Sequence, residues 1–486
     1  MQFMNETAPV FLADIHRIFM VGIKGTGMCA LAELLVSKGK HISGSDVQEE
    51  FYTDSILKKL AIPVLPFAEQ NINADIDLII FSAAYKPDSH PELLAAQKCS
   101  IPLMTYPQAL GAFSKLQPSC GIAGVHGKTT TTAICGTIAA ALKIPATVLA
   151  ASAVKSFGDK STLILGDDFF IAETCEYRRH FLNFNAQIIV VTSIEPDHQD
   201  YYPDYDSIYA AFLEYGLSLP QNGCLVFCAD DSGALALSND IAQKRPDIKL
   251  IPYGFSCDGD FKITKKPNHA GIFALDIFPD HFFSLRIPGL HIMLDAVAAI
   301  AVCSAILENL VGIPRSQQNA ADFMKGIAAF SGSKRRAEII GEVSGIMFMD
   351  DYAHHPTAIK MTLQGLKDFY PGRRLVVDFM SHTYSRTQAL FADFATAFTD
   401  ADVLILHDIY PSAREKAPEE WKVSGLALFN AVAKNSPSVK YFSKPLDAFT
   451  WIDDQLRSGD LFITLGAGDN WVLSQELFRK RKEEND

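Results

Sequence analysis

The amino-acid sequence predicts an α/β protein of three domains built on mainly parallel sheets. Three observations lead there. The chain has 486 residues, too many for one hydrophobic core. Short apolar runs alternate along it with helix-length segments, and two polar breaks interrupt that alternation. With 48% hydrophobic and 20% charged residues, the composition is that of a chain that folds throughout.

Taken in order, Ile15 to Val21 reads as a strand that enters a glycine turn, and Met28 to Val36 follows with a helix-like apolar face. Strands are read again at Leu78 to Ser82 and Ile188 to Ile194, then at Leu375 to Phe379, Val403 to His407 and Leu461 to Leu465. The breaks are Ser114 to Ser119 and the glycine-containing, cationic stretch Ser331 to Arg336. They divide the chain into expected domains 1–115, 116–332 and 333–486. No internal repeat or low-complexity tract is present.

A formal charge of −13 argues against a nucleic-acid partner, which needs a basic face. Met1 to Arg17 lacks the basic start and apolar core of a secretory signal. No apolar run is expected to reach the roughly 18 residues of a bilayer span, so no membrane insertion and a cytoplasmic location are the expectation. The nine cysteines show no CxxC pair or zinc spacing and read as buried free thiols.

The strongest local signal is Gly121-Ile-Ala-Gly124-Val-His126-Gly127-Lys128-Thr129-Thr130, between a short strand and the helix-forming Thr131 to Leu142. Glycines let backbone N–H groups close around phosphate oxygens, the helix N-terminus adds positive potential, and the lysine reaches the outer phosphates. Thr129 is placed for Mg²⁺. The pattern departs from the general phosphate loop, since Ile122 stands where its first glycine belongs. Glu173 ends an apolar strand after the loop, and Glu195-Pro-Asp197-His198 follows the next long strand, so carboxylates and an imidazole should gather at one sheet edge. At the front, Gly22-Ile-Lys-Gly25-Thr26-Gly27-Met28, with Ser45-Asp46 at a second strand end, can seat a diphosphate on a helix N-terminus.

With these motifs in place the chain resembles the muramyl ligase family over all three expected domains. The residues that carry the resemblance are Gly121 to Thr130, Ala172-Glu173-Thr-Cys-Glu176-Tyr-Arg178-Arg179, Ile194 to His198, Ser333-Lys-Arg-Arg336, Asp350-Asp351-Tyr352-Ala-His354-His355-Pro356 and Ser381-His382-Thr383-Tyr384-Ser385-Arg386-Thr387. Gly22 to Met28, Asp408 to Lys416 and Gly466-Ala-Gly468 look like the branch that adds L-alanine.

The resemblance implies a Rossmann-like first domain for the UDP moiety, a central ATPase domain, and a Rossmann-like third domain that brings the amino acid. It implies that ATP meets Gly124, His126, Gly127, Lys128, Thr129, Thr130, His291, Arg336 and Asp351, and that Thr129, Glu173 and His198 hold Mg²⁺. UDP-N-acetylmuramate would meet Gly22, Gly25, Thr26, Gly27, Met28, Asp46, Ser82 and Ala83, and L-alanine would meet Tyr352, His354, His382 and Arg386. Lys128, His198, Arg336 and His354 are the expected catalytic residues, with His354 and Glu176 both open as acceptor of the amine proton.

Four positions depart from the family pattern: Ser193, Ile292 and Asp295, where asparagines are usual, and Thr383 in place of an arginine. No lysine lies between His198 and Lys244 to supply the carbamylated side chain of several relatives.

The activity implied is ATP-dependent ligation of L-alanine to UDP-N-acetylmuramate through an acyl phosphate. The alternative within the family is a ligase that recycles a murein tripeptide. A nicotinamide-dependent oxidoreductase would leave the phosphate loop and the Asp197-His198 pair without a purpose, and an ATP-switched binding protein would need the loop alone.

Overall fold

The computed structural model describes residues 14–199, 201–411, 420–436 and 438–484. Arg414, Glu415 and Lys416 lie outside the described residues, as does most of the segment read for a signal sequence.

The apolar run at the front is the strand Arg17–Val21, and the helix Thr26–Ser37 follows its glycine turn. It is the middle strand of a five-stranded parallel sheet, flanked by His41–Ser45 then Val64–Leu65 on one side and by Leu78–Phe81 then Leu103–Thr105 on the other. Chain direction across the sheet reverses beside this strand, which opens a crevice at its C-terminal end, where Gly22 to Met28 lies.

The central sheet repeats the device with seven strands. In spatial order they are Lys249–Tyr253, Cys224–Cys228, Ile188–Val191, Ser119–Ala123, Phe169–Glu173, Ala146–Val154 and Lys160–Ile164, and only the last is antiparallel to its neighbour. The strand feeding the phosphate loop lies between the strand that ends at Glu173 and the strand that leads to Glu195 and His198. Strand alternation thus brings together three segments far apart in sequence. The strand read as Ile188 to Ile194 stops at Val191, because Thr192 and Ser193 turn to hold the phosphate loop.

The C-terminal domain has six strands: Glu338–Val343, Ile346–Asp351, Asp460–Gly466, Arg374–Met380, Val403–Leu406 and Val439–Tyr441 in spatial order, with an antiparallel pair at the Glu338–Val343 edge. A small antiparallel sheet, Ile263–Lys265, Ile272–Leu275 and Phe278–Ser284, packs against the central domain.

One expectation is corrected. The helical stretch Leu290–Val311 spans 22 residues and is long and apolar enough to cross a membrane. Its polar residues are spaced widely enough to leave the run apolar overall. Of its most apolar 18 residues 83% are buried inside the protein, and it packs on the helix Lys128–Leu142 as a core helix. The cysteines are all free, as read, though Cys99 is exposed and Cys175 half-buried.

Candidate active site

The phosphate loop folds as its glycines require. Gly124 and Gly127 have φ of +135° and +81°, a region that side chains rarely adopt, and a Cβ at either would strike Thr192 or Asp295. Val125 and His126 donate their backbone N–H groups to the carbonyl and the hydroxyl of Ser193, at 3.1 and 3.0 Å. Ser193, a departure from the family pattern, therefore holds the loop. Lys128 opens the helix Lys128–Leu142 and bends back over the loop toward the Gly124 carbonyl.

The ammonium of Lys128 also reaches both oxygens of Glu176, at 2.9 and 3.1 Å. Glu176 in turn lies 3.2 Å from His198 Nε2, and Tyr202 donates to its backbone carbonyl at 2.6 Å. Burial alone would raise the Glu176 carboxyl, but Lys128 and His198 overcome it and hold the group below its usual range. Glu176 is thus an ionised counter-charge locked between cations, a poor acceptor for an amine proton. Burial likewise lowers Lys128 and His198, and their carboxylate neighbours reverse the sign, so both stand above their ordinary values.

His198 sits at φ +54°, an uncommon backbone state for a residue with a side chain. Its N–H donates to Asp197 Oδ1 at 2.8 Å, and that same oxygen receives Arg386 Nε and an Arg386 terminal nitrogen at 3.2 and 3.0 Å. Asp197 belongs to the central domain and Arg386 to the C-terminal one, and both side chains are nearly sealed from solvent. Arg386 spends a further N–H on the His382 carbonyl, 3.2 Å away. Its guanidinium, read from sequence as the grip on an incoming carboxylate, is here committed to Asp197.

These groups line a cleft of about 480 Å³ between the central and C-terminal domains, with His126, Thr129, Thr130, Glu173, His291, Arg336 and Asp351. Arg336 stacks on the Tyr352 ring at 4.7 Å and makes no ion pair among the described residues, whereas Arg335 binds Asp350 at 3.1 Å. Asp351 accepts the N–H groups of Ala337 and Ala353 at 2.6 and 2.7 Å, so it shapes the turn with both oxygens. His354 Nδ1 lies 2.8 Å from the Tyr352 carbonyl and must donate to it. Burial first, then Arg386, pushes His354 well below the usual histidine value, which leaves a neutral ring with its lone pair on Nε2.

Asp295, the residue in place of an asparagine, accepts from Thr131 Oγ1 at 3.3 Å against the phosphate loop. Burial raises its carboxyl well above the ordinary range against the pull of Thr131 and Arg336, and a carboxyl in its protonated form would offer a donor and an acceptor, as an asparagine does.

A second cleft, about 300 Å³, lies between the first and central domains. Gly25, Thr26, Gly27, Met28, Ser82 and Ala83 line it, as the sequence predicts, together with Tyr106, Tyr177 and Phe181. Gly22 and Asp46 stand behind it. Asp46 accepts from the N–H groups of Lys24 and Val47 at 2.7 and 2.8 Å, and the Tyr85 ring packs on Gly22, so both brace the glycine turn. Tyr106 went unread because it opens a helix of the first domain, Tyr106–Ser114, with no motif around it; a Cβ on Gly27 would touch its ring. Glu173 and Cys175 line both clefts, so the two share a wall.

Three family models match the chain, one to each domain. Models described as the Mur ligase family catalytic domain, the Mur ligase middle domain and the Mur ligase glutamate ligase domain match residues 17–117, 122–303 and 335–468. The UDP-N-acetylmuramate–L-alanine ligase of Treponema pallidum (strain Nichols) is 49% identical over 96% of this chain and 97% of its own. The chain belongs to the Mur ligase family. Within that family it is also similar to the UDP-N-acetylmuramate–L-alanine ligase of Borreliella burgdorferi, at 39% identity over 96% of this chain and 99% of the relative. The fold matches a UDP-N-acetylmuramate-alanine ligase from Thermotoga maritima with TM-score 0.78, at 22% identity over 96% of this chain and 99% of that one. A murein peptide ligase from Psychrobacter arcticus matches with TM-score 0.66, also at 22% identity, over 96% of this chain and 98% of that one.

Proposed function

We propose that this enzyme joins L-alanine to the lactyl carboxylate of UDP-N-acetylmuramate at the expense of ATP, giving ADP and phosphate in peptidoglycan precursor synthesis. The observation that carries the reading is the shared wall of the two clefts at Glu173 and Cys175, with the phosphate loop on one side and the glycine turn of the first domain on the other. A carboxylate held on one side can meet the terminal phosphate held on the other. The Treponema and Borreliella relatives are named for this same reaction. Its nucleotide substrates are cytoplasmic pools, and the reaction is assigned there.

A carboxylate resists attack by an amine because oxide would have to leave. In the first step a lactyl oxygen attacks the γ-phosphorus of ATP, the bond to the β–γ bridging oxygen breaks, and ADP departs with that electron pair. In the second the alanine nitrogen, having lost one ammonium proton to solvent and attacking as the free amine, bonds to the acyl carbon, the C–O bond breaks, and phosphate leaves. Lys128 and Arg336 offer fixed positive charge to the oxygens on which charge develops. Once the C–N bond has formed, the ammonium is acidic enough for neutral His354 to take its proton through Nε2.

Mg²⁺ fits the donors present: Glu173 Oε2 is buried in the cleft wall without a hydrogen-bond partner among the described residues, with Thr129 and His198 on the same cleft. Bound there, it would neutralise phosphate charge. Arg386 takes the α-carboxylate of alanine by exchanging it for Asp197.

Phosphate release with UDP-N-acetylmuramate and, in turn, L-alanine, glycine or L-Ala-γ-D-Glu-diaminopimelate tests this. L-alanine should be used best, and glycine less well by the roughly 1–3 kcal/mol that a methyl contributes in an apolar pocket. Preference for the tripeptide would assign the chain to recycling instead.

A further inference from the structure

Beside the phosphate loop, three metal-ligating side chains converge from separate elements. His126 belongs to the loop, Glu195 follows the strand Ile188–Val191, and His355 caps the helix Pro356–Phe369 of the C-terminal domain. Glu195 Oε2 lies 3.6 Å from His126 Nε2 and 3.7 Å from His355 Nδ1, and one ligand atom of each residue lies within 4.8 Å of the others. At those separations the imidazoles do not hydrogen-bond the carboxylate. They face it across a gap.

Tetrahedral coordination with bonds of about 2.0–2.1 Å sets donor atoms about 3.4 Å apart, so shifts of a few tenths of an ångström close these two edges on an ion. Among the described residues His126 Nε2 has no hydrogen-bond partner, and Thr357 Oγ1 donates to Glu195 Oε2 at 3.1 Å, which orients the carboxylate from outside. His355 is buried and is pushed down to about 4 by that burial and by His126, so at neutral pH its ring is neutral; its Nδ1 lone pair accepts the Thr357 N–H at 3.3 Å, a bond that a metal at Nδ1 would replace.

We infer that His126, Glu195 and His355 form a site for a four-coordinate transition-metal dication of the Zn²⁺ or Co²⁺ class, separate from the Glu173 and His198 position. Two imidazoles and one carboxylate suit such an ion, whereas Mg²⁺ prefers oxygen donors in an octahedron. Three protein ligands leave the fourth position open to water or a phosphate oxygen. Because His126 and Glu195 come from the central domain and His355 from the C-terminal one, the ion would staple the two domains across the nucleotide cleft. The inference does not depend on which amine the enzyme uses.

The test is Co²⁺ titration of the full chain carrying Cys99→Ser, which removes the exposed thiol, without Mg²⁺ or nucleotide. The expected result is the intense visible absorption of four-coordinate Co²⁺, saturating at one equivalent and displaced by Zn²⁺. Glu195→Gln should weaken it, as should His355→Asn, which keeps an acceptor for the helix cap. Each should cost more than the roughly 10- to 100-fold lost with an outer partner, the loss expected of Thr357→Val. His198→Gln should leave the band in place. Only the faint absorption of six-coordinate Co²⁺ would overturn the site, and so would an intense band that survives both Glu195→Gln and His355→Asn.

Discussion

Two buried acid–base networks of similar composition lie in this molecule, one at the domain junction and one inside the C-terminal domain. The first joins Lys128, Glu176, His198, Asp197 and Arg386. The second joins Asp378, His407 and Asn470. His407 Nε2 lies 2.7 Å from Asp378 Oδ2 and its Nδ1 lies 3.0 Å from the Phe442 carbonyl, while Asn470 donates to Asp378 Oδ1 at 2.9 Å. Both neighbours of His407 are acceptors, so its ring carries both protons and the pair is ionic.

The difference is in exposure and backbone strain, since among the described residues Asn470 Oδ1 in the second network also lacks a hydrogen-bond partner. The Asp378 and His407 side chains are 0% exposed, whereas His198 is 25% exposed on a strained backbone and Glu173 beside it keeps a buried oxygen without a partner. A network sealed from solvent fixes a fold; one that opens on a cleft, with strain at its edge, is arranged for a ligand.

The largest effect should follow from breaking the closed network. His407→Leu leaves Asp378 buried without its cation and should cost about 3–5 kcal/mol, read by urea unfolding, while Asp378→Leu with His407→Leu should recover most of that. Equal losses in the single and double variants would show that the pair is not the source.

In the open network, Lys128→Ala should lower turnover about 10²- to 10³-fold and leave calorimetric affinity for UDP-N-acetylmuramate unchanged, because the loop and the glycine turn lie on different domains. A lost sugar-nucleotide affinity would contradict that division. Arg386→Ala should raise the KM for L-alanine about 10- to 100-fold, as for loss of charged hydrogen bonds. It should destabilise the fold less than His407→Leu, since Asp197 can regain water through the cleft; the reverse order of unfolding midpoints would erase the contrast.

The smallest effect concerns pH. Burial lowers His407, but Asp378 and the Phe442 carbonyl outweigh it and raise the ring above its ordinary value. A raised histidine contributes stability in full below its unfolded value, about 6.5, and loses it as pH climbs through the higher folded value. The stability gap between wild type and the double leucine variant should therefore shrink as pH rises above neutrality. A gap that widens instead would mean that the ring is neutral when folded.

These networks also mark how far the sequence could be read. The phosphate loop and the glycine turn were legible because their chemistry is local: glycines, a lysine and a helix start within ten residues. The ends of the strands Phe169–Glu173 and Ile188–Val191 were legible for a similar reason, since sheet order brings them to one edge.

Pairing across long separations was not. Glu176 lies 48 residues from Lys128, Asp378 lies 29 from His407, and Asp197 lies 189 from Arg386, and no spacing rule links such positions. For the same reason Arg386 reads in sequence as a free cation, and Asp46 as a free carboxylate at a strand end.

The central claim is that the lactyl carboxylate is activated by direct phosphorylation across the shared wall of the two clefts. UDP-N-acetylmuramate labelled with ¹⁸O in that carboxylate, turned over with ATP and L-alanine, tests it most directly by mass analysis of the released phosphate. The account predicts one labelled oxygen in each phosphate, carried over when the acyl phosphate breaks, and the other in the amide; unlabelled phosphate, with the second labelled oxygen lost to water, would contradict it.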